Sequence, residues 1–458
     1  MNKLIKTLKN IWSIEELRQK ILFTLVLVFI YRVGTHIVLP GINGDALNAA
    51  LEGDKAKGSK GLLDLFNTFS GGAFSQASIF ALGIMPYITA SIFMQLMTIL
   101  VPQIKKIQNE GESGRKKITQ WTRYLTIVVT VFQALAYMAL LSNSPYNAVG
   151  VKTPAFLPFF TFSSIVILTA GTLFVMWLGE KITDKGLGNG TSLIIMIGIL
   201  ARLPQALFGE LGERRTQFNG MGGVMFFLIE LVILVGIILG LIILIQGTRK
   251  VPVNYAKQIV GKGQFGGARQ FLPLKVNSAG VMPIIFAQSI IYIPMMLAGF
   301  SNNSTVSKVL GDHKNLWYML TYTVLVIGFT FLYTALIFNP RQMAEDLKRN
   351  NGFIPGVKPG EPTASYIGTI MDRITLPGAI LLAFVGILPG IMELLGIVKS
   401  TSFSTFFGGT SLLIMVGVIL DTLQQIETQL LMREYDGLMN GGRIQGRQGM
   451  PGMELPAV

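Results

Sequence analysis

The sequence predicts an all-α membrane protein whose ten transmembrane helices form two inverted halves of five helices each. Composition indicates the class, because 51% of the 458 residues are hydrophobic and only 14% are charged, whereas a soluble domain carries roughly 25% charged residues. Ten apolar stretches are close in length to the ~20 residues that a helix needs to cross a bilayer. Short strings of sequence recur five stretches apart, and this spacing indicates the inverted arrangement.

The chain is expected to begin with a cytoplasmic amphipathic segment, 1–19, that lies at the membrane interface. A cleaved signal peptide is the alternative, but no small-residue cleavage site closely follows Val38. The predicted spans, numbered one to ten, cover 20–38, 74–100, 120–141, 157–178, 187–203, 221–246, 276–299, 316–338, 374–396 and 407–429. Span five is predicted to be short.

The distribution of basic residues predicts that both termini are cytoplasmic. Lys and Arg number 38 against 24 Asp and Glu. With the N-terminus inside, the cytoplasmic segments hold 25 Lys and Arg and the external segments hold 10. Membrane proteins keep these residues on the cytoplasmic side. An even number of spans also places both termini on one side.

Two pairs of strings repeat. Residues 83–88 of span two resemble 280–285 of span seven, and 190–195 of span five resemble 409–414 of span ten. Both pairs are offset by five spans, an odd number, so the corresponding helices run in opposite directions. These helices also carry Gly and Pro, which is tolerated at membrane depth beside a cavity. Close helix packing through small residues is the alternative.

Isoleucines at equivalent positions of the four repeat helices predict an apolar neck in a central hourglass pore. Such a neck blocks ions by dewetting yet can part. Ordinary core isoleucines are the alternative. The main charges inside the spans, Arg32, Glu230 and Asp421, lie outside the repeated strings. The proposed neck residues are Ile84, Ile88, Thr191, Ile195, Ile285 and Ile414.

A short apolar segment, 61–69, precedes span two. At 1.5 Å per residue it reaches only ~13 Å, too short to cross, and Ser70-Gly71-Gly72 separates it from span two. It is either a mobile plug or an amphipathic turn on the surface.

Catalytic and metal-dependent functions find little support. The chain has no Cys and two His that are far apart in sequence, and it lacks the glycine-rich phosphate-binding motif of nucleotide hydrolases. We therefore expect no cofactor, no metal, no direct nucleotide binding and no enzyme activity. The alternative to a channel is an ion-coupled transporter, which needs ionisable groups near the axis.

The chain resembles the SecY family, the channel subunits of bacterial protein translocases, from about residue 10 to 435. The resemblance is carried by long strings, among them 77–88, 110–115, 272–277 and 408–414. It implies a passive protein-conducting channel in the plasma membrane, which passes unfolded secretory proteins across and releases transmembrane segments sideways into the lipid bilayer. It also implies as partners SecE, SecG, the SecA ATPase, the ribosome and preproteins with signal sequences.

The resemblance further implies roles for named residues. The neck residues above become the pore ring, and a plug covers 61–72 with Leu62, Leu63, Leu65, Phe66 and Phe69. The lateral gate is the seam between spans two and seven, with Gln95 and Asn277. The loops 247–275 and 339–367 dock SecA or the ribosome through Arg249, Lys250, Lys257 and Lys358, although topology alone explains their charge equally well.

The implied domains are two halves and a tail. The N-terminal half is 20–203, the C-terminal half is 204–429, and a cytoplasmic tail follows at 430–458.

Overall fold

The computed structural model describes residues 12, 14–42, 67, 69–142, 157–217, 221–255, 258–260, 263–265, 269–288, 290–291 and 315–440. Within these ranges seven helices are long and apolar enough to cross a membrane, and a helix pair bent by 104° adds an eighth. The helical membrane fold is therefore confirmed, while the count of ten spans stays a prediction.

The observed helices follow the predicted spans closely. Residues 282–288 and 290–291 are helical within predicted span seven. The other spans are Glu15–Thr35 for one, Met85–Leu100 for two, Glu112–Ser142 for three, Leu157–Lys185 for four, Gly190–Gln217 for five, Met221–Gln246 for six, Leu316–Ile337 for eight, Glu361–Leu394 for nine and Gly409–Asn440 for ten. Shorter helices are Pro102–Asn109, Pro340–Arg349 and Thr401–Ser404.

The first pair of repeated strings adopts matching backbone conformations. Gly83 and Gly280 both have positive φ, +54° and +65°, a region that costs glycine little. Helix follows each of them within two residues, from Met85 and from residue 282. In the second pair, Gly190 and Gly409 are each the first residue of their helix. Only Gly409 of this second pair has positive φ, +67°, so the two strings differ in conformation at that residue, and the inverted arrangement of two halves stays a prediction.

The prediction that span two runs from residue 74 was wrong. Residues 70–84 form consecutive turns, and the helix begins only at Met85. The positive φ of Gly83 ends the turns, and Pro86 occupies the first turn of the helix, where its missing N–H costs nothing. Apolar composition alone could not distinguish this stretch from helix.

Span five is not short, which corrects a second prediction. Its helix continues through Pro204 to Gln217, so Arg202 and Arg214 lie in the helix rather than in a loop. One internal proline removes one hydrogen bond without stopping a helix that tertiary contacts support. The buried Arg214 is tolerated because Glu210 pairs with it.

The two large loops that are predicted to be cytoplasmic form one unit around a small β-sheet, which the sequence did not predict. Strands β1 (Thr248–Tyr255), β4 (Arg269–Lys275) and β5 (Gly352–Phe353) pair in the order β4-β1-β5. Strands β2 (Gln258–Val260) and β3 (Gly263–Phe265) form a separate hairpin. A small core beneath the three-stranded sheet joins both loops to span nine; it includes Val251, Val253, Leu274, Ile354 and Ile367.

We predict that Gly171→Ala destabilises the protein by about 1–3 kcal/mol, the usual cost of overpacking. A Cβ atom at Gly171 would lie 2.4 Å from the backbone oxygen of Ile79, in the turn segment before span two. Gly236→Ala is the control, because a Cβ there has no neighbour within 4 Å. Thermal unfolding in detergent measures both variants, and equal melting temperatures would contradict the prediction.

Candidate functional site

The isoleucines proposed for the neck lie in or against one apolar cluster. Ile84, Ile195 and Ile414 are among its buried members. Ile88 and Ile285 are partly buried and pack against it. Helices from both halves of the chain therefore contribute to a single hydrophobic core, as a neck between the halves requires.

Thr191 is placed differently. Its hydroxyl donates to Asn189 Oδ1 at 2.7 Å, and Asn189 Oδ1 also accepts from the backbone N–H groups of Thr191 and Ser192, so Asn189 caps the start of span five. A methyl group added at Gly179 of span four would lie 3.1 Å from Thr191 Cγ2. These contacts direct Thr191 towards span four.

Sequence reasoning missed Ile199. It lies one turn beyond Ile195 on the same face of span five, is fully buried, and belongs to the same cluster. The signal was present as the i, i+4 spacing from Ile195, but the comparison of strings ended at residue 195.

The described end of the predicted plug packs against spans one and five. Phe69 is buried in the same cluster as the isoleucines. The Tyr31 hydroxyl donates to the carbonyl of Ser70 at 3.4 Å, and Arg32 Nη1 donates to the carbonyl of Gly71 at 3.3 Å. A Cβ at Gly71 would lie 2.8 Å from the Cα of Gly198 on span five. The other predicted plug residues, Leu62, Leu63, Leu65 and Phe66, lie outside the described residues.

A second apolar cluster forms a seam between the halves. It joins Ile92 of span two to Phe286 of span seven and Tyr333 of span eight, and Ile88 and Ile285 pack against it as well. The predicted contact of spans two and seven is thus present, and span eight is part of the same seam.

The two predicted gate residues are not paired with each other. Gln95 accepts a hydrogen bond from the Tyr333 hydroxyl, which crosses the seam from span eight. Asn277 is buried, and its Oδ1 has no hydrogen-bond partner among the described residues. Gln95 and Tyr333 also line a cavity of about 920 Å³, whose wall includes Lys105 and Arg341.

Most of the predicted docking residues are exposed on the cytoplasmic unit. Arg249 and Lys250 project from β1, and Lys358 lies in the turn between Gly356 and Gly360, both of which have positive φ. Lys257 lies outside the described residues.

One face of the sheet also carries exposed aromatic side chains. Phe271 opposes Pro252, and Phe353 opposes Asn254. Opposed residues share a face, as do alternate residues of one strand, so both phenylalanines and Lys250 lie on the same side. Phe271 and Phe353 are 56% and 41% exposed. The sheet therefore presents a mixed aromatic and cationic surface.

The sequence matches a known family over most of its length. The SecY family profile matches residues 78–423. The protein translocase subunit SecY of Streptomyces coelicolor is 42% identical over 440 residues, which cover 93% of this chain and 97% of that protein. The SecY subunit of Corynebacterium glutamicum is 40% identical over 454 residues, covering 96% and 100%.

Solved structures show the same fold. A chain described as the structure of a protein-conducting channel matches with a TM-score of 0.60 at 15% identity, covering 93% of this chain and 94% of that chain. A Sec61 chain from the canine ribosome-channel complex of the endoplasmic reticulum matches with a TM-score of 0.57 at 14% identity, with the same coverage. A structure whose description concerns the SecY plug domain, the closed state and the membrane seal matches with a TM-score of 0.58 at 17% identity, again covering 93% and 94%.

Proposed function

The chain belongs to the SecY family, and from this premise we propose that it is the central protein-conducting channel of a bacterial Sec translocon. It passes unfolded secretory proteins across the plasma membrane and releases signal-anchor and transmembrane segments sideways into lipid. The observation that carries this function is the buried cluster in which Phe69 of the plug segment packs with isoleucines from both halves. The protein is a passive channel subunit and not an enzyme, as its family indicates.

The pore ring closes the channel in its resting state. We assign Ile199 to the ring in place of Thr191, because Ile199 is buried in the cluster and the Thr191 hydroxyl donates to Asn189, the residue that caps span five. An apolar ring excludes ions through dewetting and holds no polar solute. The other ring members are Ile84, Ile88, Ile195, Ile285 and Ile414.

The plug, 61–72, seals the ring from the external side. Its last residues are held by hydrogen bonds from Tyr31 and Arg32 and by close backbone packing at Gly198. Arg32 supplies the charge among these contacts and is only half-buried, so a translocating chain can displace the segment without stranding a fully buried charge.

The lateral gate is the seam of spans two, seven and eight. Its described contacts include apolar side chains and a side-chain hydrogen bond from Tyr333 to Gln95. An apolar signal segment can replace such contacts as it enters, so opening towards lipid carries a small energetic penalty. We include Tyr333 in the gate with Gln95 and Asn277.

The cytoplasmic sheet docks the partner that drives translocation. Its exposed face combines Phe271, Phe353 and Lys250, and Arg249 and Lys358 add positive charge nearby. Aromatic and cationic side chains together suit a protein or ribosome surface. One solved structure with this fold is described as part of a ribosome-channel complex. The SecA ATPase or the translating ribosome supplies the energy, while SecE clamps the halves 20–203 and 204–429 and SecG binds at the periphery.

The bacterial plasma membrane is the proposed location, with both termini and the tail 430–458 in the cytoplasm. The excess of Lys and Arg in the segments on that side supports this orientation. Arg214 is buried in span five and does not belong to an external loop. The difference in the number of basic residues between the two sides is therefore larger than the count from sequence.

Reconstitution tests the function directly. Proteoliposomes that contain the chain with SecE are incubated with SecA, ATP and a radiolabelled preprotein that carries a signal sequence. We expect protease-protected preprotein only when ATP is present. Gradient-driven uptake of a small solute without protected preprotein would instead indicate a transporter.

For the ring, we predict that Ile88→Asn and Ile199→Asn raise basal ion conductance. A carboxamide in the apolar neck lowers the free energy of hydrating the neck by ~1–3 kcal/mol. This change raises the fraction of channels whose neck contains water roughly tenfold. Planar-bilayer recording measures the leak. Thr191→Asn, on the same helix, serves as the control and should stay near the parent value. A larger leak in the Thr191 variant than in the Ile199 variant would restore Thr191 to the ring.

For the gate, we predict that a covalent link between Gln95→Cys and Tyr333→Cys blocks translocation. The parent chain has no cysteine, so a bismaleimide reacts only at the introduced pair. Each single-cysteine variant, treated with the same reagent, controls for modification alone and should retain transport. Full transport by the linked variant would show that spans two and eight do not need to separate during transport.

A further inference from the structure

Of the three main charges that the sequence places inside the spans, the structure gives partners to two. Arg32 Nη1 donates to the carbonyl of Gly71 in the plug segment at 3.3 Å. Glu230 forms an ion pair with Arg214. The third charge, Asp421 of span ten, is exposed, and its carboxylate forms no ion pair or hydrogen bond with the described residues. An ionisable side chain at membrane depth marks a path for ions or polar substrates, so Asp421 requires an explanation of its own.

The side chain of Asp421 lies on the face of span ten that is directed towards span five. Span ten is helical over Gly409–Asn440, and residues i, i+4 and i+7 of a helix share a face. Asp421 comes seven residues after Ile414, a buried member of the apolar cluster, and four residues before Gln425. Gln425 Oε1 accepts a hydrogen bond from the backbone N–H of Gly188, just before span five, at 2.9 Å. Contacts on both sides of Asp421 thus fix the direction of this face.

Asp421 lies on the cytoplasmic side of the proposed neck. Seven residues at 1.5 Å each place it about 10 Å from Ile414 along the helix axis. With the C-terminus in the cytoplasm, as proposed above, the helix runs from Ile414 through Asp421 towards the cytoplasm. Asp421 and Gln425 are both exposed, so the carboxylate is accessible to a molecule that enters from this side.

A carboxylate at this position attracts the basic side chains of a polypeptide on its way to the ring. Lys and Arg of a translocating chain must pass from the cytoplasm through an apolar neck that offers a charge no partner. Asp421 offers one about 10 Å before the neck. Charge-assisted hydrogen bonds between a carboxylate and Lys or Arg are stronger than neutral ones. The position beside Asp421 is therefore the last favourable one for a cationic side chain before the ring.

We propose that Asp421 is a transient binding site for Lys and Arg side chains of the translocating chain. Stabilising a basic residue just before the ring lowers the free energy of its bound state without stabilising its passage, so the barrier to passage becomes higher. Asp421 therefore slows basic stretches relative to neutral ones. The proposal rests on the channel function above and adds to it a residue that determines client specificity.

Transport of two matched clients tests the proposal. Proteoliposomes that contain the chain with SecE receive SecA, ATP and one of two radiolabelled preproteins, which differ only in a short block of the mature region that is all Lys or all Gln. The measured quantity is the ratio of the initial rates of protection, the Gln client over the Lys client. We expect Asp421→Asn to lower this ratio by about fivefold, the factor that corresponds to one charge pair at 4 Å in water. The ratio cancels any loss of total activity through impaired folding.

Two further variants separate the charge from its surroundings. Asp421→Glu keeps the charge and should keep the ratio of the parent. Glu427→Gln removes an exposed carboxylate of the same helix, which lies six residues further on and hence on a different face, and it should also keep the parent ratio. An equal ratio in Asp421→Asn and the parent would refute the proposal, as would a fall of the same size in Glu427→Gln.

The remaining outcomes show which level of inference fails. If Asp421 pairs with a basic group of SecE, the Asp421→Asn variant copurifies with less SecE, and the client-binding role is overturned. If the parent protects neither client, the proposed channel function fails. If the parent protects both clients at equal rates, the channel function stands and the role of Asp421 alone is refuted.

Discussion

Every backbone N–H and C=O group at membrane depth needs a partner inside the protein, because hydrocarbon supplies none. The turns at 70–84 meet this constraint through neighbouring elements. The N–H of Leu39 bonds to the carbonyl of Ala77, and the N–H of Ile79 bonds to that of Ile37. The Tyr137 hydroxyl donates to the carbonyl of Phe74 at 2.8 Å. These partners hold the turns in place, so the helix of span two can begin as late as Met85.

The same constraint explains where the protein is rigid and where it can open. Polar and charged bonds concentrate where spans five, six and ten meet, and breaking any of them strands a buried polar group. Apolar side chains dominate the seam of spans two, seven and eight. Dispersion contacts are individually weak, and an apolar segment of a client can replace them one by one. Polar bonds and apolar contacts are thus unevenly distributed among the described spans.

The sequence predicted the features that depend on pattern and length. Hydropathy located most of the spans, and one pair of repeated strings located Gly83 and Gly280, which precede their helices with positive φ, a conformation that favours glycine. It did not locate features that depend on tertiary partners. The turns at 70–84 look as apolar as helix, and the helical continuation to Gln217 depends on Glu210 and Glu230 neutralising Arg214. The bond of the Thr191 hydroxyl to Asn189, the residue that caps span five, is visible only in the structure.

The cytoplasmic sheet links the docking surface to the gate by covalent continuity. Strand β4 ends at Lys275, the N–H of Val276 bonds to the carbonyl of Gly247, and Asn277 leads into span seven. Span eight continues at its cytoplasmic end into the helix Pro340–Arg349 and then into β5 of the same sheet. Two helices of the seam are therefore attached to the one surface on which a motor or ribosome is proposed to bind. Because the chain has no nucleotide motif of its own, a force or displacement applied to this sheet provides a direct mechanical route for an external energy source to bias the gate.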